Sequence, residues 1–197
     1  GLNDVHPATT ETIDAGNGDN VVLGDNGEVF FHSGKLDLVT STETDQGGNE
    51  VITTGSGNDV ILGGIDQDTI TAGDGNNVVL GDNGVINYTE GLGILETARS
   101  IAPDDGADDL ITSGTGNDVV IAGQGNDIVT ITAGNNVVVG DNGEAIFNGA
   151  DNDALTLDEV RTTFPANGGG DDLILTGDGD DVVLAGLNDA DPAPTET

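Results

Sequence analysis

The sequence predicts an all-β fold built from very short strands stacked by repetition, and three observations carry that prediction. A nine-residue period runs through most of the 197 residues. The eighth place of every period holds Val or Ile, whose branching at Cβ favours extended backbone. Four Phe, one Tyr and no Trp are too few aromatics to centre an ordinary globular core. Stacked repeats remove that difficulty, because each layer buries the aliphatic residue of the next.

The windows that begin at residues 15, 45, 54, 63 and 72 read AGNGDNVVL, DQGGNEVIT, TGSGNDVIL, GGIDQDTIT and AGDGNNVVL. Those at 104, 113, 122, 131, 167 and 176 read DDGADDLIT, SGTGNDVVI, AGQGNDIVT, ITAGNNVVV, NGGGDDLIL and TGDGDDVVL. The eighth residues are Val22, Ile52, Ile61, Ile70, Val79, Ile111, Val120, Val129, Val138, Ile174 and Val183. The sixth is always Asp, Glu or Asn, and ten of the eleven windows have Gly at the second or fourth place. Each window therefore reads as a six-residue turn followed by a three-residue strand. Side chains alternate along a strand, so the eighth residue points inward while the seventh and ninth point outward.

A longer repeat lies above the nonapeptide. GDNG recurs at 24–27, 81–84 and 140–143, each time after an aliphatic triplet. An apolar patch follows (EVFF, VINY or EAIF), then a polar insert of roughly twenty residues by the usual loop-and-breaker reading. The chain divides on this basis into 1–44, the end of one unit with its insert; 45–103 and 104–166, two units each with an insert; and 167–197, the start of another. Residues 1–12 and 186–197 match at nine of twelve places with an offset of 185, which predicts one period of a longer array.

Composition narrows the function classes. A net charge of −34 repels phosphate backbones and anionic headgroups, which argues against nucleic acid and membrane surfaces and makes cations the natural partners. No apolar run approaches the 18 residues of a membrane span. Cys is absent, so there is no disulfide framework and no thiolate metal site. Acidity with few aromatics also suits a disordered chain. The recurring aliphatic triplets VVL, VIL and VVI argue against that, since disordered acidic segments are poor in such residues.

The nonapeptide closely resembles that of RTX (repeats-in-toxin) proteins, G-G-x-G-x-D-x-U-x with U a large aliphatic. The resemblance implies a right-handed parallel β-roll, a β-solenoid in which two nonapeptides make one coil and calcium sits between turns stacked eighteen residues apart. Carried onto this chain, it pairs Glu50 with Asp68, Asp59 with Asn77, Asp109 with Asp127 and Asp118 with Asn136. Asp172 and Asp181 are then expected to face the counterparts of Glu11 and Asn20 in a following copy. Carbonyls of Gly16, Gly18, Gly55, Gly57, Gly73, Gly75, Gly114, Gly116, Gly123, Gly125, Gly177 and Gly179 complete the expected ligand sets, at about three calcium ions per unit. Calcium accepts this mixture of carboxylates and carbonyls, whereas magnesium demands a stricter octahedron. Isolated His6 and His32 do not suit a transition metal. Asn20, Asn77 and Asn136 predict weaker sites, each having one negative charge fewer. GDNG departs from the family pattern, and its Asp25, Asp82 and Asp141 read as ligands closing the third site of each unit.

The outward residues separate two faces. One carries Val60, Leu62, Val78, Leu80, Val119, Ile121, Val137 and Val139; the other mixes Thr53, Thr69, Thr71, Thr112 and Thr130 with Val51, Leu110 and Ile128. An apolar outer face needs a cover. The inserts are expected to supply it through Phe30, Phe31, Leu36, Leu38, Ile94, Leu95, Leu155, Leu157 and Phe164, with neighbouring chains as the alternative. Lys35, Arg99 and Arg161, the only Lys and Arg residues, all lie in inserts and are expected to pin them to the acidic repeats.

No nucleophile and base pair emerges, so the chain reads as a non-enzyme. The resemblance implies a calcium-binding structural module of a long secreted or bacterial cell-surface protein, exported by the type I route and extended in tandem with copies of itself. Lateral assembly into a fibre or surface layer would follow from that role. A secretion and folding appendage of an attached enzyme or toxin is the first alternative, and an ice- or polysaccharide-binding Thr face the second.

Overall fold

The computed structural model describes residues 10–147, 156–164 and 169–186. The described residues form strands, turns and bends without a helix. The first stretch holds β1 (Glu11–Gly16), β2 (Val21–Leu23), β3 (Gly27–His32) and β4 (Lys35–Ser41). The second holds β5 (Glu50–Thr54), β6 (Val60–Gly64), β7 (Thr69–Thr71), β8 (Val78–Asp82), β9 (Gly84–Tyr88) and β10 (Leu95–Ser100). The third holds β11 (Leu110–Thr115), β12 (Val119–Ile121), β13 (Ile128–Ala133), β14 (Val137–Val139), β15 (Gly143–Ile146) and β16 (Glu159–Thr162), and β17 (Leu173–Leu175) and β18 (Val182–Leu184) follow.

These strands make three six-stranded sheets. The first, in the order β1-β5-β7-β11-β13-β17, and the second, β2-β6-β8-β12-β14-β18, are parallel throughout. Nonapeptide strands alternate between these two sheets along the chain. Stacking runs across the inserts without a break: β7 pairs with β11 at Ile70 and Ile111, and β13 with β17 at Val129 and Ile174. The third sheet, β3-β4-β9-β10-β15-β16, is antiparallel and consists of one hairpin from each insert.

Between the two parallel sheets lies a core of eighth-place residues. Val22, Ile52, Ile61, Ile70, Val79, Ile111, Val120, Val129 and Val138 are all buried there, with Ala72, Ala122 and Ile131 filling the layer. Ile174 is partly buried against them. Val183, on the last strand of its sheet among the described residues, is 43% exposed.

A second core lies between the second and third sheets. Val60, Leu62, Val78, Leu80, Val119, Ile121, Val137 and Val139 are buried under Val39, Ile86, Ala98 and Ala145 of the hairpins. Hence the inserts do cover the apolar face, but only in part with the residues expected. Leu36, Leu95 and Leu157 pack against this core, whereas Phe30, Phe31 and Phe164 are exposed, Phe31 by 63%. The small β residues Val39, Ala98 and Ala145 let the sheets approach, and an irregularity between Phe30 and Phe31 leaves both rings outside. Leu38 and Ile94 are half-buried, and Leu155 lies outside the described residues. The Thr-bearing face of the first sheet stays open, with Leu110 and Ile128 each about two-fifths exposed.

Arg161 bonds to Glu144 and Glu159, both on the third sheet, so it ties a hairpin to itself and not to the repeats as expected. His32 contacts Glu90 at 3.1 Å, and His6 lies outside the described residues.

Candidate metal centre

The sixth-place residues enter their strands along two edges. The edge leading into the first sheet carries Glu11, Glu50, Asp68, Asp109, Asp127 and Asp172, all acids. The edge leading into the second carries Asn20, Asp59, Asn77, Asp118, Asn136 and Asp181, alternately amide and acid. From Asp68 onward on the first edge and from Asp59 onward on the second, each of these side chains accepts a backbone N–H of the layer before it. On the acid edge the N–H of Glu50 donates to Asp68 Oδ1 at 2.7 Å, Asp68 to Asp109 at 2.8 Å, Asp109 to Asp127 at 2.7 Å and Asp127 to Asp172 at 2.9 Å. On the mixed edge Asn20 donates to Asp59, Asp59 to Asn77, Asn77 to Asp118, Asp118 to Asn136 and Asn136 to Asp181, at 2.8 to 3.0 Å.

All four expected pairs are therefore stacked neighbours. The ladders also join Asp68 to Asp109, Asn77 to Asp118, Asp127 to Asp172 and Asn136 to Asp181, at separations of 41 and 45 residues. Asp172 and Asp181 thus have neighbours within this chain, which reasoning from an eighteen-residue spacing missed. The equal eighth-place register on either side of each insert was the available signal.

Asp59, Asp68, Asp109, Asp118 and Asp127 each spend one oxygen on the ladder and not the other. Asp68 Oδ2, Asp109 Oδ2, Asp127 Oδ2, Asp59 Oδ2, Asp118 Oδ2 and Glu50 Oε2 are buried without a hydrogen-bond partner. Buried charge is costly unless compensated. Burial, followed by repulsion from neighbouring carboxylates and opposed by ladder hydrogen bonds, pushes Asp68 and Asp127 up to about 8 and Asp172 to about 6. Burial and the charge of Asp25 push Glu50 up to about 7. Asp109 and Asp82 are displaced well above the ordinary carboxylate range for the same reasons. The mixed edge is calmer: burial raises Asp118, while at Asp181 hydrogen bonds from Asn136 and Thr176 outweigh burial and lower it.

GDNG has a physical account at each place. A Cβ on Gly81 would collide with the Ala122 carbonyl and the Asp109 carboxylate, and the same crowding surrounds Gly24 and Gly140. Asp25 accepts from the N–H groups of Gly48 and Ile65, Asp82 from Gln124, and Asp141 from Gly170. These three carboxylates therefore clamp the acid edge and add to its charge, Asp82 keeping Oδ1 unpartnered. The Asn carbonyls of Asn26, Asn83 and Asn142 accept from Thr42, Ile101 and Thr163 where the hairpins return. The final glycines meet a serine in two units: Gly84 donates to Ser41 Oγ and Gly143 to Ser100 Oγ, both at 3.1 Å. Sequence reasoning passed over these serines, although both close an insert.

Ten of the twelve expected carbonyl donors lie on the mixed edge, in two columns. Gly16, Gly55, Gly73, Gly114 and Gly177 follow one line, and Gly18, Gly57, Gly75, Gly116 and Gly179 the other, so close that a Cβ on Gly73 or Gly75 would strike the carbonyl of Gly55 or Gly57. In the second column φ is positive at every glycine, from 118° to 151°, a region closed to other residues. Gly123 and Gly125 belong to the acid edge, where Asp66 takes the place of a fourth-position glycine with φ of 67°.

Among the described residues no three acidic or histidine side chains form a metal-holding group on their own. An ion at these edges would draw on carbonyl oxygens as well, which calcium accepts. The unpartnered buried carboxylate oxygens, set against crowded carbonyls, fit that ion.

A family model, the RTX calcium-binding nonapeptide repeat, matches in four copies at residues 9–28, 46–84, 104–138 and 168–189, more than half of the chain. This chain belongs to the RTX calcium-binding repeat family. The four RTX stretches contain the turns of both edges, while most of each hairpin falls between them. No curated protein and no solved structure matches the chain.

Proposed function

We propose that this chain is a calcium-dependent structural module of a long secreted or bacterial cell-surface protein, folding into a right-handed β-roll when its carboxylates are neutralised. One observation carries the reading: the column of buried oxygens on Asp68, Asp109 and Asp127 that no donor among the described residues satisfies. Glu11, Glu50, Asp172 and the GDNG residues Asp25, Asp82 and Asp141 extend that column, and Asp59, Asp118 and Asp181 supply the mixed edge. Calcium bound there would exchange repulsion for attraction, so binding and folding form one equilibrium. Millimolar extracellular calcium suffices for a module of about 10⁻³ M affinity, whereas a low-calcium cytoplasm leaves it unfolded for export.

The module binds and stiffens; it does not catalyse. Exposed Leu173, Leu175, Val182 and Val183 on β17 and β18 favour a further coil or copy stacked on this end, which suits an extended adhesin, fibre or surface layer. Circular dichroism during calcium titration tests the reading. Sheet content is expected to appear cooperatively with calcium and vanish with chelator. Sheet signal and compactness indifferent to chelator would refute it.

A further inference from the structure

We infer that Asn20, Asn77 and Asn136 replace a cation with their own amide, so that the mixed edge takes calcium only at its Asp turns. This rests on the calcium reading above and departs from the sequence expectation that these turns are weaker metal sites.

Every sixth-place side chain has two branches. In Asn77 and Asn136 one accepts the backbone N–H of the stacked layer, Asn77 Oδ1 from Asp59 and Asn136 Oδ1 from Asp118, each at 3.0 Å. That bond fixes which branch is oxygen, because a flipped amide would set two donors against each other. In Asp59 and Asp118 the second branch is a buried oxygen without a partner. In the asparagines it is Nδ2, a double donor. Asn20 Nδ2 reaches the carbonyls of Gly16 and Gly18 at 3.0 and 2.8 Å, and Asp59 Oδ1 at 2.9 Å. Asn77 Nδ2 reaches Gly73 and Gly75 at 2.9 and 3.3 Å, and Ser113 Oγ at 3.2 Å. Asn136 Nδ2 reaches the carbonyls of Gly134 and Thr176 and the carboxylate of Asp181, at 3.0 to 3.3 Å.

The carbonyls that a calcium ion would use at Asn20 and Asn77 are therefore already paired by a neutral donor. An entering ion would have to displace those hydrogen bonds and gain no carboxylate in return. At Asp59 and Asp118 the corresponding branch is an anion with nothing to accept from. All three asparagines stand in the turn immediately before GDNG, so each hairpin leaves the repeats next to a layer that closes without an ion.

Bound calcium is counted by native mass spectrometry and equilibrium dialysis of the full chain at saturating calcium. Asn77→Asp and Asn136→Asp are each expected to add one ion, and the double variant two. Asp59→Asn is expected to lose one ion while keeping its sheet content, which preserves the test if an added acid prevents folding. Unchanged counts in the Asn→Asp variants, or an unchanged count in Asp59→Asn, would overturn the inference. A wild-type chain that binds no calcium would instead remove the reading on which it rests.

Discussion

The two edges of the parallel sheets run through the same layers with a similar ladder of N–H donors and differ chiefly in the second branch of the side chain at every other turn. Six acids follow one another along the first edge, and burial and mutual repulsion drive Asp68 and Asp127 up to about 8. Alternating Asn and Asp follow one another along the second, and there Asp181 falls below its usual range. Identical backbone stacking can thus be held by a donor inside the chain or left to a charge from outside. The mixed edge also keeps the paired glycine columns, while the acid edge relies on the GDNG carboxylates of Asp25, Asp82 and Asp141.

Proton titration of the metal-free chain puts the largest strain on this contrast. The acid-edge carboxyls have raised folded-state values, so the folded state binds protons more tightly than the unfolded state. Their favourable contribution is complete below the ordinary carboxyl range and is lost as pH rises through about 6 at Asp172, about 7 at Glu50 and about 8 at Asp68 and Asp127. In chelator, sheet content by circular dichroism is expected to be greater at pH 5.5 than at pH 8.5. With calcium present the order reverses, because protons and calcium compete for the same oxygens. Equal sheet content at both pH values in chelator would erase the distinction between the edges.

A smaller effect compares two glycines. Gly81→Ala pushes a methyl into the Ala122 carbonyl and the Asp109 carboxylate, an overpacking cost of about 1–3 kcal/mol that acts on the acid edge. The calcium midpoint for folding is expected to rise several-fold. Gly16→Ala on the mixed edge meets no atom within 4 Å and bears only the strain of φ at 68°, about 1 kcal/mol. A larger shift for Gly16→Ala in parallel calcium titrations would contradict this ranking. The least effect belongs to Arg161→Ala, whose exposed pairing with Glu144 and Glu159 lies on the third sheet. Its calcium midpoint should match the parent chain, and a clear shift would mean that hairpin charges contribute to the edges.

Much of the fold was legible because the nonapeptide repeats its instruction. Eighth-place Val and Ile report the inner core, and the seventh and ninth places distinguish the covered sheet from the open one. The hairpin contacts were less legible. Phe30 and Phe31 look like the natural cover, yet Val39, Ile86, Ala98 and Ala145 do that work, because the register irregularity between Phe30 and Phe31 leaves both rings outside the packed sheets. The acids and their eighteen-residue pairs could be identified, but the joining of those pairs into continuous edges could not, since Asp68 meets Asp109 across an insert whose hairpin folds out of the stack.

The chain's own order of residues determined the strand period, the inward aliphatics and the surplus of negative charge, because each is set by local alternation and by counting. Tertiary structure alone decided that the eighteen-residue pairs join across the inserts into two continuous edges and that Nδ2 of Asn20 and of Asn136 meets a carboxylate of the neighbouring layer. The reason is distance: which donor meets which carboxylate depends on layers brought together from residues about forty apart, and no local pattern specifies that meeting.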